Sequence, residues 1–154
     1  MKNKVVAFIA FVLLGLTTAA SGQGSKQKQN PSHSEDKVHL HRIVMQLSSG
    51  DTLEHKGLVN NLKNFKEGWG DSAIVEVVVH GPGIDLVTKG KSTSYEGIQQ
   101  LIQQGIRFVV CRNTMKQKNI SEDQIIPNVE FVPMGIGEVV LKQELGWSYL
   151  KAGF

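Results

Sequence analysis

The run Ala73-Ile74-Val75-Glu76-Val77-Val78-Val79 constrains this chain more than any other stretch. A strand with one wet face alternates apolar and polar residues, whereas a nearly continuous β-branched run needs cover on both faces, as a central parallel strand has. Parallel pairing in turn requires long crossover connections, usually helical. The flanking segments must therefore supply helices.

They carry the right signals. Val38 to Leu47 reads as a first strand, with Ile43-Val44-Met45 as its buried part. Ser48-Ser49-Gly50-Asp51 ends it, and Asp51 followed by Glu54 has capping-box spacing for a helix whose buried face is Leu58, Leu62, Phe65 and Trp69. The central run stops at His80-Gly81-Pro82-Gly83, a tight turn, and Ile84 to Val87 reads as a short helical turn. Thr93 with Glu96 predicts a second capped helix bearing Ile98, Leu101 and Ile102 and ending at Gly105. Ile106 to Val110 is a third strand, stopping at Cys111. Ser121 with Gln124 predicts a short helix before Pro127, Val129 to Val132 a strand, and the segment from about Glu138 a last helix with Val140, Leu141, Leu145 and Tyr149 inward. Strands and helices alternate without an internal repeat. With right-handed crossovers this predicts a single three-layer α/β domain, its parallel or mostly parallel sheet of four or five strands carrying helices on both faces.

The N-terminus follows a different logic. Lys2 and Lys4 precede the apolar run Val5 to Leu16 and the small residues Thr17 to Gly22, the order of a secretory signal peptide over residues 1–22, with an uncleaved anchor as the alternative. Residues 23–37 hold no apolar side chain and read as a disordered linker. The domain proper is then 38–154, and the expected location is the periplasm or the extracellular space. Cleavage would take the 17 basic and 14 acidic residues to 15 and 14, a nearly neutral protein with no basic stripe, so no nucleic-acid partner and no lasting membrane contact are expected.

Export makes a lone cysteine informative, because oxidising compartments favour paired ones. Cys111 is either buried and inert, paired with another chain, or reactive. It sits where a buried strand ends, and in open parallel sheets that edge is where ligands bind. Cationic Arg112 and the backbone N–H groups of Asn113 and Thr114 would favour a thiolate, and His80, ending what could be the adjacent strand, is a candidate partner. Ser48, Ser49 and Gly50, with Gly81 and Gly83, complete a candidate ligand-binding rim with Asn113 and Thr114. His39 and His41 share a strand face, but no third ligand is evident, so no metal is expected.

The run VVCRNTM and its continuation to the C-terminal LKAG resemble the DsrE-like (DsrE/DsrF/YchN) family, in particular its small stand-alone members. Cys111, Asn113, Thr114 and Met115 match the family's cysteine motif. Val132, Pro133, Gly135, Gly146, Trp147 and Tyr149 match its C-terminal pattern, and the His-Gly-Pro-Gly segment at 80–83 is also familiar from it. The resemblance implies the DsrE-like fold, a homo-oligomer (trimer or hexamer), and a sulfur-relay role in which Cys111 carries a persulfide or mixed disulfide between donor and acceptor proteins without a cofactor. The alternative is a non-enzymatic module that holds a small ligand or partner at the rim.

Overall fold

The structure, a computed structural model, describes residues 39–153. The expected signal peptide and linker lie outside the described residues. Five strands, β1 (His41–Leu47), β2 (Ala73–Val79), β3 (Arg107–Cys111), β4 (Glu130–Val132) and β5 (Ser148–Lys151), form one sheet in the order β4-β3-β2-β1-β5. Every pairing is parallel. Between them run α1 (Thr52–Trp69), α2 (Tyr95–Gln103), α3 (Arg112–Lys118) and α4 (Gly135–Glu144), with 3-10 turns at Gly70–Ser72, Gly81–Val87 and Glu122–Gln124.

Strand order dictates the layers. From β1 to β4 the chain steps in one direction across the sheet, so right-handed crossovers put α1, α2 and α3 on one face. The return from β4 to β5 runs the other way and puts α4 alone on the opposite face. The cores follow this division. Ile43, Met45, Val75, Val77, Phe108 and Val110 join Leu58 and Leu62 of α1, Ile98 and Leu101 of α2 and Met115 of α3 in the larger cluster. Val44, Val78 and Val109 meet Val139 of α4 in the smaller one. β2, second from neither edge, is buried along nearly its whole length, as its β-branched run demands.

One residue of that run is charged. Glu76 is fully buried on the α4 face, with Oε2 2.7 Å from Arg107 and 2.8 Å from Lys142 of α4, while Oε1 has no partner. Burial pushes its carboxyl above the ordinary range, and the neighbouring Lys142 and Arg107 only partly counter this.

Several elements depart from the expected ones. Asp51 caps α1 through the Leu53 N–H, but the Ser49 hydroxyl, not Glu54, accepts the Asp51 N–H. Trp69 is 43% exposed, because the end of α1 overhangs the sheet and the indole stacks on His41 and Phe65 instead of entering the core. His41 is thus in an aromatic pile with His39 edge-on, and no third His, Cys, Asp or Glu gathers there among the described residues. α2 starts at Tyr95 behind Ser94, one residue late for a Thr93 cap. The helix after Cys111 opens at once, at Arg112. α4 begins at Gly135 and closes before Gly146, whose φ of +78° is a left-handed helix stop. Tyr149 therefore lies in a fifth strand and not on a helix face. Val140, Leu141 and Leu145 face outward, since α4 presses Gly135, Val139 and Lys142 onto a sheet face it covers alone. No helix of the described residues is long and apolar enough to cross a membrane.

Candidate functional site

β3 and β4 are neighbours whose following helices leave to opposite faces of the sheet. Such a reversal opens a crevice at the carboxyl edge of the strands, the place where open α/β sheets bind ligands. Cys111 is the last residue of β3 and stands at that reversal.

Alternation along β3 turns Cys111 toward α4, and β2 does the same for His80, one step beyond the Val79–Val110 pair. The first residue of α4 lies over both. A Cβ added at Gly135 would stand 3.1 Å from the Cβ atoms of Cys111 and of His80, so the two side chains leave the sheet within twice that distance of each other. A side chain there would force the turn or its two neighbours to shift.

Cys111 is only 5% exposed. Burial pushes its thiol up, but the N–H of Gly135, the N–H and hydroxyl of Thr114 and the N–H of Asn113 outweigh it, and the group settles below the ordinary thiol range. As a neutral thiol it makes no capping bond to α3. The donors act on the anion. Thr114 is itself buried and placed, its Oγ1 accepting the Gly81 N–H at 3.0 Å, which ties the loop after β2 to the cysteine turn. Arg112 goes elsewhere: its guanidinium pairs with Glu122 and lies 4.9 Å over the Phe131 ring, so the backbone donors and the Thr114 hydroxyl, and not this cation, account for the lowered thiol. Asn113 contributes its N–H while its side chain is exposed.

His80 is half-buried, and burial lowers its imidazole below the usual range, so the ring is neutral at pH 7. Its backbone N–H donates to Leu47 O, holding the ends of β1 and β2 together.

The remaining rim residues build the loops more than they open them. Gly81 adopts φ +54° and a Cβ at Gly83 would meet Leu47 O at 2.7 Å, so this turn packs onto the end of β1. Gly50 approaches Pro82, Ser48 O lies beside Gly81, and the Ser49 carbonyl accepts from buried His55 Nε2 at 2.8 Å. The three loops are contiguous, with Cys111 and His80 at the α4 side.

Gln46 escaped the sequence reading, and Gly135 and Tyr149, which it matched to the family's C-terminal pattern but not to the site, join the site: Gly135 lies above the pair, Gln46 reaches His80, and Tyr149 reaches Gln46. Gln46 Nε2 is 2.8 Å from His80 Nε2, and the Tyr149 hydroxyl donates to Gln46 Oε1. A polar residue between the buried apolar residues Met45 and Leu47 was the available signal for Gln46. A cavity of about 610 Å³ lies away from this rim, at the opposite edge of the sheet beside His41, Arg42 and Trp69.

A parallel five-stranded sheet with one thiol at its carboxyl-edge reversal, under the first turn of the returning helix, defines a small α/β thiol-bearing domain. The chain belongs to the DsrE/DsrF-like family, whose model matches residues 43–152. Among solved structures it is similar to a protein of unknown function, MTH1491, from Methanobacterium thermoautotrophicum. That match has 27% identity and a TM-score of 0.69, over 72% of this chain and 98% of the other. A conserved protein of unknown function from Bacteroides thetaiotaomicron, BT1422, shares the fold at 16% identity and a TM-score of 0.58, over 71% of this chain and 92% of the other. No curated protein matches the sequence.

Proposed function

We propose that this chain is an exported thiol carrier that accepts sulfane sulfur on Cys111 and passes it on. The observation that carries this reading is the set of N–H and hydroxyl donors around Cys111, which favours its thiolate despite burial. In the step it would perform, the Cys111 thiolate attacks the outer sulfur of a donor persulfide. The Cys111–sulfur bond forms, the donor sulfur–sulfur bond breaks, the donor leaves as its thiolate, and the terminal sulfur keeps its proton. An acceptor thiolate then takes that outer sulfur and Cys111 leaves as thiolate, with no net redox change. A lowered thiol pKa serves both halves, raising the thiolate fraction and improving the leaving group. Donor and acceptor are proteins bearing thiols, and the carrier works as a homo-oligomer, a trimer or hexamer. The exposed apolar residues of α4 support that assembly.

The rate of Cys111 alkylation against pH, on the folded mature protein, tests the reading. The rate should titrate below the ordinary thiol value of about 8.5, and exposure to polysulfide should add one sulfur atom to the wild type and none to Cys111→Ser. A thiol that reacts only on unfolding would overturn it. The 5% exposure of Cys111 favours a second reading, a binding module whose rim holds a small ligand or partner without sulfur chemistry. Ligand retention by Cys111→Ser, with no sulfur uptake by the wild type, would select that one.

A further inference from the structure

On the α4 face, Gln46 of β1 lies between His80 of β2 and Tyr149 of β5, and none of its side-chain polarity is used elsewhere in the core. Its Nε2 stands 2.8 Å from His80 Nε2, and its Oε1 accepts from the Tyr149 hydroxyl. β5 pairs with β1 so that Val44 faces Tyr149, which lets the phenol reach one face position forward to the amide. The edge strand beside β1 is thereby connected to Cys111 and His80.

We propose that Gln46 and Tyr149 are positioning residues of the Cys111 site: Tyr149 orients the Gln46 carboxamide so that its N–H donates to His80 Nε2, confining the imidazole to its neutral, Nδ1-protonated form. An amide N–H and a protonated Nε2 are both donors, and 2.8 Å apart they would oppose each other. Protonation of His80 is therefore disfavoured by the amide as well as by burial. Of the other ionisable groups on that face, a Cys111 thiolate from β3 favours the imidazolium and Lys151 from β5 disfavours it, while Tyr149 comes from β5 and only uncharged Met134 and Gly135 from the start of α4; burial leaves the imidazole below its usual range. Glu76, farther back on β2, is matched to Arg107 and Lys142, and Glu138 of α4 to Lys142.

This rests on reading Cys111 as the carrier, and it changes how the thiol is activated. A ring whose Nε2 lone pair is held by Gln46 does not take the thiol proton. That proton leaves to solvent, and the thiolate is held by the donors of Gly135, Thr114 and Asn113. A neutral neighbour also lets the outer sulfur be handed on without breaking an ion pair.

Imidazole ¹⁵N shifts of His80 in the folded full chain read the tautomer directly. The wild type should show Nδ1–H at neutral pH, with protonation below the ordinary histidine range. In Gln46→Glu a carboxylate replaces the donor and accepts from Nε2–H, so the tautomer should switch and the His80 titration should rise by about 1–2 units. Tyr149→Phe should give a mixture of tautomers. An Nε2–H tautomer in the wild type, which needs no variant to fold, overturns the proposal, as does a Gln46→Glu protein whose His80 titrates unchanged. Polysulfide loading separates the two readings. The expected tautomer without any sulfur uptake retains the positioning role and rejects the carrier, while normal uptake with an Nε2–H ring does the reverse.

Discussion

Gly135 and Gly137 sit two residues apart in the first turn of α4, yet they should respond oppositely to a methyl group. At Gly135 the added Cβ meets the Cβ atoms of Cys111 and His80 at 3.1 Å, and neither neighbour is a free side-chain end. Gly135→Ala should push the turn off the sheet, at about 1–3 kcal/mol. It should also draw the Gly135 N–H from the sulfur, moving the Cys111 alkylation profile to higher pH. At Gly137 the contact is with the terminal methyl of exposed Met134, which can swing away. Gly137→Ala should stabilise by up to about 1 kcal/mol through helix propensity, leaving the alkylation profile unchanged. Urea denaturation with alkylation kinetics checks both. Cys111 also carries a pH signature. Its folded thiol lies below the unfolded one, so it contributes stability above the ordinary thiol value of about 8.5 that is lost as pH falls through the folded value. Cys111→Ser should lack that component.

The tie between β2 and α4 is a buried carboxylate with more burial than pairing. Because the Glu76 carboxyl is raised in the fold, the folded chain binds its proton more readily than the unfolded chain does. Its ionised form then costs stability at neutral pH, and stability rises as pH falls through the folded value toward the ordinary carboxylate range. Glu76→Gln should therefore cost less than about 1 kcal/mol at pH 7 and abolish that slope. Lys142→Met leaves the fully buried carboxylate short of a partner and should cost about 3 kcal/mol. Denaturation midpoints followed across pH would show the asymmetry, and equal losses in the two variants would contradict it. The same strand explains what was legible. A β-branched run with helical crossovers implies a covered parallel sheet, and strand-end turns place His80 and Cys111 on one edge. The charge partners of Glu76 come from Arg107 and Lys142, far away in sequence, and no local pattern announces them. α4 was misread for a related reason: an apolar stripe shows that one side of a helix is buried, but not whether the sheet or another molecule buries it. β5 is short and exposed throughout, so it lacks the apolar run by which the inner strands are recognised.

At the scale of the molecule the two faces of the sheet are unequal. Three helices close one face, and α4 alone covers the other while presenting Ile136, Val140, Leu141 and Leu145 outward at 50%, 47%, 54% and 67% exposure. Ile136, Val140 and Leu141 lie on the outward half of α4, and Leu145 caps its C-terminal end. A contiguous apolar surface of this kind marks an association site, and a second copy of the chain is the partner that the proposed homo-oligomer supplies. The face begins at the turn that lies over Cys111, so the proposed assembly would couple to thiol access through one helix. Burying it would fix the position of Gly135 and with it the donors around the sulfur. Replacing Leu141 and Leu145 together by Glu places two charges in that surface and should reduce the protein to monomers in sedimentation, with its circular dichroism unchanged because neither side chain is in the core. The freed α4 should then fluctuate more at its first turn, and the Cys111 alkylation profile should move to higher pH than in the assembled wild type, as in Gly135→Ala. A wild type that sediments as a monomer, or a double variant that keeps the assembled mass, would remove α4 as the interface.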